Sequence, residues 1–150
     1  LGLTPISGSL HVTRLRAGSE LPRRAHPWDA GLDLVAAEGA RLEPGARAAV
    51  PSGIAVAIPE GHAGLVLPRS GLARKVGVTV ANAPGLIDAG YRGELIVLLV
   101  NLGANAHDVE VGDRIAQLVV TPIATPQITL VDELPPSDGR GDGSFGSSGA

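Results

Sequence analysis

The stretch Glu94-Leu-Ile-Val-Leu-Leu-Val-Asn101 is aliphatic at six consecutive positions, from Leu95 to Val100. The run is far too short to cross a bilayer, and its length between polar residues is typical of a strand. A strand with one solvated face alternates apolar and polar residues, whereas this strand needs cover on both faces. A partner subunit is the simplest source of that cover, although a strand deep in a sandwich has the same pattern.

Shorter strand-like segments recur on both sides of this stretch, at the spacing expected of an antiparallel sandwich or barrel. The chain contains 21 glycines and 12 prolines, which interrupt long helices and favour turns. We predict an all-β protein with strands at Leu10–Leu15, Leu32–Ala36, Arg47–Pro51, Ile54–Ile58, Gly64–Leu67, Val76–Val80, Glu94–Asn101, Asp108–Val111, Arg114–Pro122 and Ile128–Val131. The only predicted helix covers Ser70–Lys75, because Gly71 and Gly77 restrict anything longer.

The composition excludes several classes of protein. A chain of 150 residues is enough for one domain. The net charge of -3 provides no basic field for a nucleic-acid backbone, and the absence of cysteine excludes disulfides and thiolate chemistry. Because no secretory signal or membrane span is recognisable, we predict a cytoplasmic protein that binds neither nucleic acid nor membranes.

The segment Pro68-Arg-Ser-Gly-Leu-Ala73 follows a predicted strand and begins the predicted helix. This arrangement places Arg69, the Ser70 hydroxyl and free backbone N–H groups at a helix N-terminus, where an anion is favoured. An alternative is that Ser70 serves only as an N-cap.

The segment Gly85-Leu-Ile-Asp-Ala-Gly-Tyr-Arg-Gly-Glu-Leu95 lies between strands and contains the only tyrosine, Tyr91. Asp88 is the most interesting acidic residue of the chain because it lies at the tip of a predicted hairpin. An aspartate at such a position is usually a turn former, and the segment taken alone favours that role.

We predict that the chain divides into a β domain, residues 1–135, and a flexible Gly/Ser-rich tail, residues 136–150. The tail contains a G-x-G-x-x-G string at Gly141–Gly146, but it lacks the flanking strand and helix of a dinucleotide-binding turn. Its composition is typical of a disordered end. Arg140 and Phe145 instead favour a flap whose backbone N–H groups and serine hydroxyls close over phosphate.

Five segments, in order, resemble the five signature motifs of the trimeric dUTPases, in their bacterial form. They are Ala30-Gly-Leu-Asp-Leu34, Pro68-Arg-Ser-Gly-Leu-Ala73, Gly85 to Leu95, Gly112-Asp-Arg-Ile-Ala-Gln-Leu118 and Arg140-Gly-Asp-Gly-Ser-Phe-Gly-Ser-Ser-Gly149. Five matches in the correct order and spacing, over nearly the whole chain, make chance agreement very improbable.

The resemblance implies a jelly-roll-like β-barrel of the β-clip type. It further implies a homotrimer whose active sites are shared between subunits. Its expected activity is that of a dUTP diphosphatase, which uses Mg²⁺ to hydrolyse dUTP to dUMP and pyrophosphate. Such an enzyme keeps uracil out of DNA and supplies dUMP for thymidylate synthesis.

Roles in the reaction follow from the same resemblance, position by position. Asp88 would hold and deprotonate the water that attacks the α-phosphorus. Arg69, Ser70 and Gln117 would act with Mg²⁺ to neutralise the phosphate charge. Asp33 matches the aspartate that contacts the metal through water, which suits Mg²⁺ because this ion keeps several waters.

Substrate recognition is implied for a larger set of residues. Asn82 would contact uracil, Tyr91 would pack beneath deoxyribose, and Phe145 would stack over the base while Arg140 and Ser147 bind the γ-phosphate. Leu86 departs from the family pattern, in which threonine is frequent. The implied substrate-binding residues are Arg69, Ser70, Gly71, Asn82, Gly85, Ile87, Asp88, Tyr91, Gln117, Arg140, Ser144, Phe145, Gly146 and Ser147.

Two alternative functions are weighed beside this one. A dCTP deaminase-like enzyme is disfavoured because that group lacks the hairpin and tail in this form. A non-catalytic nucleotide-binding protein of the same fold is disfavoured because every catalytic position is filled.

Overall fold

The computed structural model describes residues 8–137, 139 and 141–143. Within these residues the chain forms eleven strands and one short helix. The elements are β1 His11–Arg14, β2 Leu32–Val35, β3 Ala40–Leu42, β4 Arg47–Pro51, β5 Ile54–Ala57, β6 His62–Leu67, α1 Ser70–Val76, β7 Val78–Val80, β8 Gly85–Ile87, β9 Ile96–Asn101, β10 His107–Val109 and β11 Arg114–Pro122. The all-β prediction with one short helix is confirmed.

All strand pairs among the described residues are antiparallel. The largest sheet has the order β2-β11-β6-β8, and a second sheet has the order β4-β9-β7. Two ribbons, β1-β5 and β3-β10, complete the sheet structure of the described chain. One aliphatic core joins the four sheets, and its most deeply buried side chains include Leu34, Leu42, Val78, Leu99 and Leu118.

Strand β9 confirms that the long aliphatic run is apolar on both faces. Leu95, Val97 and Leu99 point into the core and are at most 1% exposed. On the opposite face, Ile96 is 50% exposed and Leu98 is 41% exposed. The single chain therefore leaves one apolar face of this strand in contact with solvent.

Most sequence-predicted strands are present with shifts of one to a few residues. Val76, predicted as a strand residue, instead ends α1, because Gly77 takes up the left-handed conformation that closes the helix. Two short strands, Ala40–Leu42 and Gly85–Ile87, were not predicted, since three residues are too few for an alternating pattern to be recognised.

The predicted strand at Ile128–Val131 is wrong for the chain by itself. This segment has no strand partner among the described residues, and Ile128 and Leu130 are almost fully exposed. After Pro122 the chain leaves the sheet, so residues with high strand propensity have no edge of their own subunit to pair with.

The described helix has seven residues, and no helix in the described part of the chain is long and apolar enough to span a membrane.

Candidate active site

Three strands of the largest sheet bring residues from distant parts of the sequence to one cavity. In the register of the sheet, Gln117 of β11 lies opposite Leu67 of β6 on one side and opposite Asp33 of β2 on the other. Pro68 and α1 follow directly after Leu67. The resulting cavity of about 360 Å³ is lined by Ala25, Asp29, Ala30, Gly31, Asp33, Arg69, Ser70, Gly71 and Gln117.

Arg69 is held at this cavity by two contacts. Its Nε lies 3.2 Å from Asp33 Oδ1, and its Nη1 donates to the carbonyl oxygen of Arg114 at 3.2 Å. The other oxygen of Asp33 lies 3.5 Å from Arg114 Nη1. Two guanidinium groups thus face the Asp33 carboxylate, and Asp29 brings a second acidic side chain to the cavity lining. The planar guanidinium of Arg69 suits an anionic ligand such as phosphate.

The Gln117 side chain lies in the cavity wall beside Gly31. Its Nε2 donates to the carbonyl oxygen of Pro68 at 2.9 Å. A Cβ atom at Gly31 would lie only 2.3 Å from Gln117 Oε1, so any side chain at position 31 would displace the amide. Sequence reasoning identified the segment that contains Gly31 but missed this steric role, which depends on a residue far along the chain.

Ser70 is the first residue of α1, and the N-cap position is occupied by Arg69 without a side-chain capping bond. The alternative that Ser70 serves as the N-cap is therefore wrong. The exposed Ser70 hydroxyl lines the cavity beside Gly71. It is available there as a hydrogen-bond donor to an anion.

The Gly85 hairpin forms a second candidate region, on strand β8. This strand pairs only with β6 within the described chain, so its other edge presents unpaired backbone groups. The hairpin includes a cis peptide bond between Ala83 and Pro84. A Cβ atom at Gly85 would lie 3.5 Å from Asn82 Nδ2, so the Asn82 amide lies close to the glycine backbone.

Asp88 follows β8 and is exposed. The turn after it is closed by backbone atoms, with the Tyr91 N–H donating to the Asp88 carbonyl oxygen at 3.0 Å. The Asp88 carboxylate makes no hydrogen bond or ion pair with any described residue, so its side chain does not form the turn. This arrangement does not support the alternative in which the Asp88 side chain serves only to form the turn.

Tyr91 occupies a defined position beside Asp88. Its hydroxyl donates to the carbonyl oxygen of Glu94 at 2.9 Å. The ring lies against Gly93, where a Cβ atom would be 2.5 Å from the hydroxyl oxygen and 2.7 Å from Cζ. Gly93 is therefore needed for space, a role that sequence reasoning did not assign.

Asp88 and the cavity beside α1 lie toward opposite ends of β6, although Gly85 of the hairpin pairs with Val66, next to Leu67. Ile87, just before Asp88, pairs with Gly64, whereas Arg69 follows Leu67 at the other end of the strand. At about 3.3 Å per residue, Gly64 and Leu67 are separated by about 10 Å along the strand, and Asp88 and Arg69 extend further in opposite directions. One chain does not bring Asp88 and Arg69 to a common point.

The resolved shifts in pKa concern two exposed arginines outside the cavity. The hydrogen bonds that Arg16 donates to Glu38 and, to a smaller extent, to Glu94 raise its pKa above its ordinary value. The hydrogen bonds that Arg41 donates to Glu43 and then to Asp108 raise the pKa of Arg41 in the same way. Both arginines remain fully charged at neutral pH, so these ion pairs are present throughout the physiological range.

The sequence model of the dUTPase family matches residues 17–149. The chain belongs to the dUTPase family. It is 55% identical over 130 residues to the deoxyuridine 5'-triphosphate nucleotidohydrolase of Leifsonia xyli subsp. xyli, covering 86% of this chain and 85% of that protein. It is 51% identical over 149 residues to the protein of the same name from Mycolicibacterium gilvum, covering 96% and 97%.

Solved dUTPase structures have the same fold. A variant of the Staphylococcus bacteriophage 80alpha dUTPase with dUpNHpp has a TM-score of 0.89 and 34% identity, covering 96% of this chain and 100% of that chain. A variant of the dUTPase from phage phi11 of S. aureus has a TM-score of 0.79 and 33% identity, covering 84% and 98%. The predicted jelly-roll-like fold is thus confirmed.

The phi11 dUTPase structure reveals the coordination of a structural Mg(II) ion in that protein. In the present dUTPase, no group of three or more histidine or acidic side chains in the described part of the chain is arranged to hold a metal. Asp33 is engaged by Arg69 and Arg114. This donor set fits Mg²⁺ only if phosphate and water supply most of the ligands, which is the coordination that this ion prefers.

Five of the predicted substrate-binding residues lie outside the described residues. They are Arg140, Ser144, Phe145, Gly146 and Ser147. Their roles therefore stay predictions from the dUTPase resemblance.

Proposed function

We propose that this dUTPase hydrolyses dUTP by attack of an Asp88-bound water on the α-phosphorus, in a site completed by neighbouring copies. Formation of dUMP and pyrophosphate follows from membership of the family. The roles of individual residues are our proposal. The observation that supports them best is the exposed Asp88 carboxylate, which makes no hydrogen bond or ion pair with any described residue, three positions before Tyr91, whose hydroxyl is held by the Glu94 carbonyl oxygen.

Asp88 is proposed as the general base. An exposed carboxylate without a protein partner can accept a hydrogen bond from water and then take its proton. The new P–O bond forms as the bond to the pyrophosphate oxygen breaks, and pyrophosphate departs with the bonding electrons. Since phosphoryl transfer depends mainly on position and charge, the base accounts for only part of the rate.

The cavity beside α1 is proposed to bind the triphosphate. Arg69 is already oriented by Asp33 and the Arg114 carbonyl oxygen, so little side-chain freedom is lost when phosphate binds. Ser70, Gly71 and Gln117 add polar groups on the same wall. Mg²⁺, when bound to the triphosphate, neutralises part of its charge, and Asp33 would contact it through water.

The free edge of β8 is proposed to recognise the base. The backbone of Gly85 and Ile87, together with Asn82, would pair with the polar edge of uracil. Cytosine would present a donor where uracil has an acceptor, and a site whose buried groups are left unpaired rejects such a mismatch strongly. Tyr91 would pack against the sugar and leave no space for a 2′-hydroxyl.

A homotrimer is proposed to unite the two regions. Asp88 and Arg69 lie at opposite ends of β6 in one chain, so a nucleotide that contacts both must be bound between subunits. The exposed apolar face of β9 and the exposed Ile128 and Leu130 provide surface for such an assembly. Strand register and the uncovered apolar surface therefore support the proposal of a shared active site.

We also propose the division of the chain into a barrel, residues 1–135, and a flap, residues 136–150. The last core residue along the chain is Leu118, and all described residues from 123 to 137 are exposed. The flap would close over substrate, with Phe145 stacked on uracil and Arg140 on phosphate. A cytoplasmic location stays a prediction from the sequence.

The function is tested by measuring pyrophosphate release from dUTP, dCTP, dTTP and UTP in the presence of Mg²⁺. We expect dUTP to be preferred by about four orders of magnitude over dCTP, because a hydrogen-bonded base edge discriminates on that scale. Release of ammonia from dCTP would establish a deaminase instead. Binding of dUTP without any pyrophosphate formed would establish a non-catalytic nucleotide-binding protein.

The shared site is tested by charging the exposed face of β9. We expect the double variant Ile96→Glu, Leu98→Glu to be monomeric by light scattering and to lose dUTP hydrolysis, because like charges would be buried at the interface. The matched control is Val111→Glu, which changes a side chain that is 68% exposed and lies outside β9. A monomeric double variant with normal activity would contradict the shared site.

A further inference from the structure

Glu94 has a side chain that is tied to two other segments of the barrel. Its Oε1 accepts hydrogen bonds from the Gly53 N–H at 2.8 Å and from Arg16 Nε at 3.2 Å, and Arg16 Nη2 lies 3.4 Å from Oε2. The Glu94 side chain is only 18% exposed, whereas Glu38, the other acidic partner of Arg16, is 56% exposed. The carboxylate is thus directed into the barrel wall, and none of these contacts involves the nucleotide site.

The backbone of Glu94 contacts Tyr91, the residue that is proposed to pack against the sugar. Its carbonyl oxygen accepts the Tyr91 hydroxyl at 2.9 Å. The following residue is also fixed, since Leu95 N–H donates to the Ile54 carbonyl oxygen and the Leu95 carbonyl oxygen accepts from Ser52. The peptide that receives the Tyr91 hydroxyl is therefore held both by its own side chain and by the next residue.

We propose that Glu94, held by Arg16 and the Gly53 N–H, is a positioning residue that fixes Tyr91 and thereby selects deoxyribose over ribose. This inference rests on the proposed function, in which the Tyr91 ring occupies the space of a 2′-hydroxyl. Glu94 does not touch the substrate and acts only through Tyr91.

The physical reason is the precision that such a selection needs. A hydroxyl group is excluded only if the ring stays within about 0.5 Å of its place, and a side chain reaches that precision when its own hydrogen-bond partner is immobile. The Tyr91 ring is 43% exposed and lies on Gly93, which offers no side chain to hold it laterally. Among the described residues, the hydrogen bond to the Glu94 carbonyl oxygen is the only polar contact of the Tyr91 side chain, so the position of that oxygen sets the position of the ring.

The test compares kcat/KM for dUTP and for UTP in Glu94→Gln and Arg16→Gln. Glu94→Gln keeps an acceptor for the Gly53 N–H but loses the ion pair with Arg16. Arg16→Gln removes the guanidinium that pairs with both Glu94 and Glu38 and leaves the Glu94 side chain unchanged. We expect each variant to raise the ratio of UTP to dUTP turnover by about tenfold, a size typical of coupled neighbours. The increase would come from better use of UTP together with a higher KM for dUTP.

Glu38→Gln is the matched control because it removes the other acidic partner of Arg16 without altering the Gly53 or Tyr91 contacts. In Glu38→Gln, the ratio of kcat/KM for UTP to kcat/KM for dUTP is expected to equal that of the wild type. In a Tyr91→Phe background, Glu94→Gln should change the ratio no further, since the connecting hydroxyl is absent.

Several results would overturn the proposal. A fall in dUTP and UTP turnover by the same factor in both variants would show that Glu94 is only structural. The same conclusion follows if the Glu94→Gln effect persists in Tyr91→Phe. A wild-type enzyme that does not hydrolyse dUTP would instead refute the proposed function, so the two failures are distinguishable.

Discussion

Replacement of Asp88 by asparagine is expected to lower the turnover of dUTP at least about a hundredfold while leaving nucleotide binding intact. Loss of a general base typically costs two to four orders of magnitude. Asparagine has nearly the same shape as aspartate but cannot take a proton from water. Because the exposed Asp88 carboxylate makes no hydrogen bond or ion pair with a described residue, the substitution removes no polar interaction among those residues.

The measurement for Asp88→Asn is single-turnover hydrolysis of dUTP together with binding of dUpNHpp. The control is Asp108→Asn on strand β10, which removes only an exposed ion pair with Arg41 of β3. This control is expected to have normal kcat, because exposed ion pairs contribute little. If Asp88→Asn turned over at a near-normal rate, another group would have to activate the water.

Deletion of residues 136–150 is expected to lower kcat/KM for dUTP by at least about a hundredfold without unfolding the barrel. The barrel should keep its melting temperature because the core ends at Leu118 and the described residues from 123 to 137 are exposed. Activity should fall because the flap would supply Arg140, two serines and Phe145 to the bound nucleotide. Removal of such preorganised donors commonly costs two to three orders of magnitude.

A full-length control variant distinguishes the contribution of the Arg140 and Phe145 side chains from that of the tail's length. In Arg140→Gly, Phe145→Ser the tail keeps its length and composition type but lacks the charge and the aromatic ring. We expect this variant to resemble the deletion in kcat/KM and the wild type in melting temperature. Full activity in the truncated enzyme would show that the flap has no part in catalysis.

Sequence reasoning succeeded best where the local pattern carries the information. Strands Arg47–Pro51 and Arg114–Pro122 have the predicted bounds, because alternating or continuous aliphatic residues end there at proline or glycine. The helix differs from its prediction by one residue, since Gly77 ends it by a left-handed turn. The family could be predicted from five ordered motifs, and comparison with known proteins confirmed it.

Sequence reasoning failed where a residue depends on distant partners. The segment Ile128–Val131 has the composition of a strand but no partner in its own subunit. Gly31 and Gly93 appeared to be ordinary motif glycines until the structure placed Gln117 and the Tyr91 ring against them. Sequence reasoning placed Glu94 in the hairpin segment and at the start of a predicted strand but gave it no role, because its partners Arg16 and Gly53 lie far away in the sequence.

The amino-acid sequence by itself determined the all-β class, the aliphatic core, the short helix and the identity of the motif residues. These properties depend on side-chain chemistry and on spacings of a few residues. The tertiary structure alone decided that β11 lies between β2 and β6, which brings Asp33, Gln117 and Arg69 to one cavity, and that Asp88 lies at the opposite end of β6. Strand order and register are non-local: they are set by how all the strands share one core, and no local pattern specifies them.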